Sequence, residues 1–415
     1  MNCRHCGAEL SDVFLDLISA PPSNTFLKED DLSKPELWHP LKVFLCHKCF
    51  LVQVPEHAAP AEIFNNNYAY FSSYSTSWLR HAATYAAMIK ERLNLGPKSH
   101  VVEIASNDGY LLRNFVAQGI PCLGIEPSAN TAAVARNAGI ETWGEFFTKC
   151  LALRLVKDRG AADLIIGNNV LAHVPDINDF VAGIATALAP HGTATLEFPH
   201  LLEMIKQTQF DTVYHEHYSY LSLIVATQIC EAQNLRIYDA DKIPTHGGSL
   251  RIFLCHGEAP QQTTESVARI LQQEHEAQLD RKAGYKRFAQ DVARLRDDFL
   301  NFLLRCRREN ATVLGYGAAA KGNTLLNFSG IRGTDAISCV VDRSPHKIGK
   351  FLPGSHIPVV NEAEIHRLKP AYVLILPWNL SDEIMNQLNY IAEWGGRFVR
   401  VVPRLEVLDP PPHLR

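Results

Sequence analysis

No apolar run in this 415-residue chain approaches the ~18 residues that a membrane-spanning helix needs, so the sequence offers no candidate for one. It also lacks a basic start leading into an apolar core and a cleavage site, and the expected localisation is cytoplasmic. Neither sign of charge dominates. With 40 Lys and Arg against 44 Asp and Glu, the formal net charge is -4, which gives no reason to expect a nucleic acid polymer or a membrane surface as partner. Internal repeats and low-complexity tracts are absent apart from the Pro-rich tail Pro410-Pro411-Pro412, which sets aside repeat architectures. Without an export signal, the ten cysteines do not read as a disulfide framework, and metal ligation is the use for those paired by spacing.

The chain is longer than one hydrophobic core usually supports, and 47% hydrophobic with 20% charged residues is ordinary globular composition, so two or three domains are expected. Cys3-Arg4-His5-Cys6 and Cys46-His47-Lys48-Cys49 are two C-x-x-C knuckles. Four thiolates at that spacing can enclose one zinc tetrahedrally with no open position, which makes the metal structural. The stretch between the knuckles is longer than the usual ~15–20 residues, but Pro21, Pro22 and the alternation over 41–45 predict an inserted loop and hairpin. His5 and His47 are alternative ligands.

From His100 onward, short apolar strands alternate with helices, as in a parallel sheet covered on both faces. The first strand, over 101–105, carries Glu103 and Ala105 and runs into Ser106-Asn107-Asp108-Gly109, with a helix expected from Tyr110. Cofactors bind at the carboxyl ends of such strands, and an acid closing the second strand can accept both ribose hydroxyls. That acid is Glu126, followed by Pro127. Glu145 and Phe146 in the next turn suit an adenine, and the fourth strand ends at Asn168-Asn169. The first turn has no G-x-G-x-x-G, which disfavours a nicotinamide dinucleotide here. This series of turns resembles the class I methyltransferases that use S-adenosylmethionine (SAM). Ala105 departs from the glycine usual in that family, and its methyl would crowd the cofactor.

Beyond the fifth strand comes Tyr214-His215-Glu216-His217-Tyr218. It is not the H-E-x-x-H zinc motif, and histidines two apart on a helix face different ways. Beside a SAM domain it suggests methylation at carbon, because a carbon nucleophile must first lose a proton to a positioned base. His217 is the candidate base, Glu216 can orient it, and Tyr214 can donate to a developing enolate oxygen.

Apolar residues spaced by three and four from Tyr285 to Cys306 predict a long amphipathic helix over 280–308 as a connector. A second α/β unit opens with Gly315-Tyr316-Gly317-Ala318-Ala319-Ala320-Lys321, a strand, a small-residue turn and a helix start. Helix-start amides with Lys321, and Lys347 further on, can neutralise a diphosphate, and Tyr316 lies in the same turn. An NAD site with Asp342 on the ribose is the competing reading.

Zinc knuckles, SAM domain, Y-x-E-H and a second Gly-rich domain, in this order, resemble the sugar C-methyltransferases of deoxysugar biosynthesis over nearly the whole chain. The resemblance implies a nucleotide-linked 4-keto-deoxysugar as substrate partner, methylated at its third carbon after a histidine removes the proton, with Tyr214, Glu216 and His217 in the motif. It further implies His173 as a second pocket histidine, and Tyr70, Ser72, Ser73, His246 and Gly247 as substrate contacts. The expected organisation is a zinc-binding domain over 1–65, a Rossmann-like SAM methyltransferase domain over 66–245, a helical connector over 246–310, and a Rossmann-like nucleotide-sugar-binding domain over 311–405. An NAD-linked sugar epimerase or oxidoreductase and a non-catalytic zinc-bearing scaffold are the alternatives.

Overall fold

In the computed structural model, which describes residues 1–57 and 71–411, the fold is built on three sheets. Alternation over 41–45 does make a strand: His39–Leu45 turns Leu41, Val43 and Leu45 into a core and pairs antiparallel with Asp12–Ala20. Val52–Gln53 adds a third strand, and the fourth comes from far along the chain, Ser219–Tyr220, directly after the Tyr214–Tyr218 segment.

The central sheet has seven strands in the order Leu235–Ile243, Ser249–His256, Leu188–Pro199, Ala162–Asn168, Val101–Ile104, Cys122–Ile125, Thr142–Trp143. All neighbours run parallel except the two pairings made by Ser249–His256. Alternate residues of each strand feed opposite layers: Val101 packs with Tyr85, Ala86 and Ile89 of the helix Thr76–Leu93, whereas Val102 and Ile104 pack with Leu155, Val181 and Ile184. The chain steps from Val101–Ile104 to one side and later returns to the other, so the strand ends part there and leave a crevice for ligands.

Two expectations need revision. The helix expected from Tyr110 is only the short Arg113–Val116. The segment expected as a helical connector, 246–310, begins with the strand Ser249–His256, whose edges are both hydrogen-bonded in the central sheet. Helical structure follows as Glu265–Glu276, a turn at Lys282–Tyr285 and the long helix Phe288–Arg308, later in its start than the apolar spacing alone predicts. Its apolar face is buried as expected, but it is more than a connector. Phe14 of the first sheet stacks on Phe288 at 4.8 Å, and the same continuous core reaches Val313 and Leu325 of the carboxyl-terminal unit. Glu274, fully buried, accepts from the amides of Leu223 and Ile224 and from His200, fastening the helix Leu223–Glu231 to this layer.

The third sheet runs Val359–Val360, Val340–Val341, Val313–Tyr316, Tyr372–Ile375, Arg397–Arg400, Glu406–Leu408, parallel but for the last pair. The architecture is α/β throughout, with a small cysteine-bearing domain in front.

Candidate active site

Cys3, Cys6, Cys46 and Cys49 bring their sulfur atoms within 4.8 Å of one another. Gln53 Nε2 donates to the Cys3 sulfur at 3.2 Å, the kind of support that orients a thiolate ligand. The histidines of the knuckles are not part of the cluster, since His5 pairs with Asn178 at 2.9 Å and His47 is exposed. Four convergent sulfurs fit a closed tetrahedral zinc site.

A cavity of about 1000 Å³ opens at the crevice of the central sheet and extends to the carboxyl-terminal unit. The wall formed by the strand ends of the central sheet and their turns includes Ala105, Asn107, Glu126, Pro127, Glu145, Phe146, Asn168 and Asn169. The Glu126 carboxylate accepts from the amides of Asn107 at 2.9 Å and Ser128 at 2.8 Å, which fixes it at the strand end even though burial raises its pKa. Both side-chain atoms of Asn168 are buried without a hydrogen-bond partner, as is Glu103 Oε2. Burial, with Glu126 and Asp108 nearby, pushes the Glu103 pKa well above the carboxylate range. Of these, Asn168 lines the cavity, and its orphaned amide beside the Glu126 carboxylate fits a polar ligand with both donor and acceptor groups.

Ala105 sits in this wall at φ +56°, a left-handed conformation that suits glycine. That conformation costs an L-residue roughly 1–2 kcal/mol, against roughly 0.5–1 for glycine's extra chain entropy. Ala105→Gly is therefore expected to stabilise the protein by about 0.5–1 kcal/mol in urea unfolding without loss of SAM affinity. A net destabilisation would refute the strain.

On the opposite wall, His217 Nδ1 donates to the Thr212 carbonyl at 2.8 Å, which leaves Nε2 as the acceptor for the Tyr214 hydroxyl, also at 2.8 Å. The His173 ring stands edge-on to it at 4.6 Å. Burial pushes His217 well below its ordinary pKa and His173 down to about 4, so both are neutral. Glu216 lines the same wall, its carboxyl pushed up to about 7 by burial, and accepts from Asn24 at 2.6 Å. His215 points the other way: its Nε2 donates to the Pro40 carbonyl, and its ring meets His39 and His57, anchoring the segment to the cysteine domain.

The carboxyl-terminal unit contributes Lys321 and Lys347. Lys321 is pushed down to about 8 by burial and is drawn back by Asp211, itself pushed up to about 6 and bonded by Trp378 Nε1 at 2.7 Å. The ammonium lies 4.5 Å over the Trp378 ring and donates to the His246 carbonyl and Asn379.

Not every expected residue faces the cavity. Ser72 and His246 line it, but Ser73 is held by the Asp108 carboxylate through its amide and hydroxyl, so this pair shapes the Ser72–Tyr74 turn. Glu103 lies behind the wall, and Gly109 is required by packing, since a Cβ there would meet Ile140 at 2.2 Å. Gly247 serves the domain contact, where a Cβ would strike Trp378 at 2.2 Å. Tyr316 is buried in its own unit with Gln387 and Glu362, away from the cavity. Tyr70 lies outside the described residues. Sequence reasoning missed Asn24, Trp78 and His81, which also line the cavity. His81 is locked by the buried Glu197, which also binds Arg251 at 2.8 Å and Thr245 at 3.0 Å.

Three families match consecutive stretches of the chain: a zinc binding domain over 3–64, a methyltransferase domain over 78–240, and a C-methyltransferase C-terminal domain over 244–403. The C-methyltransferase NovU of Streptomyces niveus is 33% identical over 410 residues, 98% of this chain and 96% of its own. Among solved structures, the SAM-bound magnesium protoporphyrin IX methyltransferase of Synechocystis is similar over 43% of this chain and 79% of its own, at 14% identity and a TM-score of 0.33. A SAM-dependent methyltransferase from Clostridium acetobutylicum is similar over 43% and 92%, at 12% identity and a TM-score of 0.36. With near-complete coverage by a C-methyltransferase, and with the four-cysteine cluster and SAM-type sheet in place, the chain belongs to the SAM-dependent C-methyltransferases that carry an amino-terminal zinc-binding domain.

Proposed function

We propose that the acceptor is a nucleotide-linked 4-keto-deoxysugar, deprotonated beside its ketone and methylated at that carbon. The observation that carries this reading is one cavity wide enough for two ligands, bounded by the cofactor turn, by the Tyr214–His217 pair and by the buried ammonium of Lys321. Bound SAM would supply an electrophilic methyl group, and Glu126 would hold its ribose, with Glu145, Phe146 and Asn168 also lining that wall.

The remaining work falls to the chain. The Thr212 carbonyl holds His217 in the tautomer whose lone pair is at Nε2, the atom to which Tyr214 donates. When the Tyr214 hydroxyl turns to the sugar's ketone oxygen, it uncovers that lone pair and gives the incipient enolate a donor. Nε2 takes the proton from carbon, and the bond that this carbon would then form to the methyl would replace the methyl–sulfur bond of SAM, the electron pair remaining on the sulfur as a neutral thioether leaves. Burial weakens His217 as a base, and negative charge growing on the enolate offsets this at the moment of transfer. Lys321 and Lys347 meet the diphosphate.

An NAD-linked epimerase or oxidoreductase is the weaker reading. The Asp342 carboxylate that would hold a ribose faces Lys347 at 3.6 Å and is not among the residues lining the cavity, whereas Glu126 is. The test is mass spectrometry of protein and SAM with a panel of nucleotide-linked 4-keto sugars. Addition of one methyl is expected, with solvent exchange of the adjacent proton when SAM is withheld. A panel in which no sugar gains a methyl would overturn the substrate assignment.

A further inference from the structure

We propose that Asn24, a residue of the zinc domain, is a positioning residue for this reaction: its side-chain amide holds Glu216 as an ionised acceptor in the cavity wall, where it receives a hydroxyl of the sugar. The hydroxyl's identity rests on the substrate reading above. The pairing itself rests on geometry. Asn24 Nδ2 donates to Glu216 Oε1 at 2.6 Å across 192 residues of sequence, and both side chains line the cavity. Glu216 is buried, and among the described residues its carboxylate has no other hydrogen bond.

A buried carboxylate with one donor is finely balanced. Burial favours the acid, which would offer a proton where the site needs an acceptor, and the Asn24 N–H opposes this by bonding the charged form. The surrounding titratable groups do not supply that bond. His173, His215 and His217 are kept neutral by burial, and the Lys321 ammonium bonds the His246 carbonyl and Asn379 rather than Glu216, with Asp211 as the nearby counter-charge.

Asn24 is itself fixed from the carboxyl-terminal unit. The carbonyl of the preceding Ser23 accepts from Asn323 Nδ2 at 3.3 Å, and Leu27 and Phe351 exchange backbone hydrogen bonds at 2.8 and 3.0 Å. Asn323 lies in the helix Ala320–Phe328, the same helix that presents Lys321 to the cavity. The support for the diphosphate and the support for the Asn24 loop are thus one rigid piece. Two domains thus meet at the Glu216 carboxylate, and the third holds the Asn24 loop in place.

The test uses the full-length, zinc-loaded chain with glutamate labelled at the carboxyl carbon, and carbon NMR follows the Glu216 titration, assigned with Glu216→Gln. In Asn24→Ala the midpoint is expected to rise by ~1–2 units, the loss of one hydrogen bond to a charged group. In Asn24→Asp, which keeps the side-chain size but brings a like charge, it rises further. With a thymidine-diphosphate-linked 4-keto-6-deoxyhexose as probe, the limb of kcat/KM near pH 7 should move alkaline by the same amount, while SAM affinity stays within about twofold. An unmoved Glu216 midpoint in both variants, with SAM binding intact, overturns the proposal. A limb that stays in place while the midpoint moves overturns the catalytic part. A midpoint that moves in a protein that methylates no keto sugar upholds Asn24's control of Glu216 and refutes the substrate reading instead.

Discussion

His217→Asn is expected to lower kcat by ~10²–10⁴, the usual worth of a general base, while SAM affinity measured by calorimetry stays within about twofold. Asparagine is the informative replacement. Its amide nitrogen lies where Nδ1 does and can go on donating to the Thr212 carbonyl, so the loop keeps the bond that shapes it, but the amide has no basic nitrogen to take a proton. The variant should also fail to exchange the sugar's acidic proton with solvent in the absence of SAM, which separates loss of the base from loss of methyl transfer. Because burial holds His217 deprotonated as pH falls through 6.5, a limb near pH 7 in the wild type belongs to Glu216 rather than to His217. Undiminished turnover in His217→Asn would end the assignment.

The second large effect is expected from removing zinc, by chelator or by Cys46→Ser. Structural zinc contributes about 10–16 kcal/mol in small zinc-finger peptides, comparable with the whole stability of a typical domain at about 5–15 kcal/mol. The cysteine domain should therefore unfold rather than loosen. Its loss would reach the site by two routes: Ser219–Tyr220 would lose its partner strand Val52–Gln53, and Glu216 would lose Asn24. Methyl transfer should fall at least ~100-fold, the lower bound of what base catalysis alone supplies. SAM binding should survive, because Glu126, Asn168 and Phe146 stand on the central sheet and its turns. Metal analysis, calorimetry and turnover on the same sample decide it. Full turnover after stoichiometric zinc loss would contradict this coupling.

What could be read from the sequence was what is written locally. The run Val101-Val102-Glu103-Ile104 followed by a polar turn predicts a strand end that binds a ligand, and Tyr214 to His217 cluster in sequence as they do in space. Asn24 pairs with Glu216 and His81 with Glu197 across 192 and 116 residues, and a polar residue in a loop or helix carries no mark of such a partner. Position beside a motif also misleads in the other direction. Ser73 and Gly109 sit next to cavity residues in sequence and Tyr316 a few residues before them, yet backbone direction turns all three into packing and turn-holding roles. The strand Ser249–His256 was hidden for a related reason. Its pattern is apolar on both faces because neighbours cover both its edges and helices cover the sheet, and nothing local separates such a run from the start of a buried helix.

The borrowed strand Ser219–Tyr220 also sets an order of assembly during synthesis. The zinc ligands and the first three strands leave the ribosome early, but the sheet they form stays open along Val52–Gln53 until residue 220 has emerged, after most of the central sheet. In that interval the four cysteines can already capture their metal, which holds the nascent domain together while its edge waits. Closing that edge and setting the Tyr214 to His217 loop are one event, so this loop takes its final shape only on a zinc domain that has already folded.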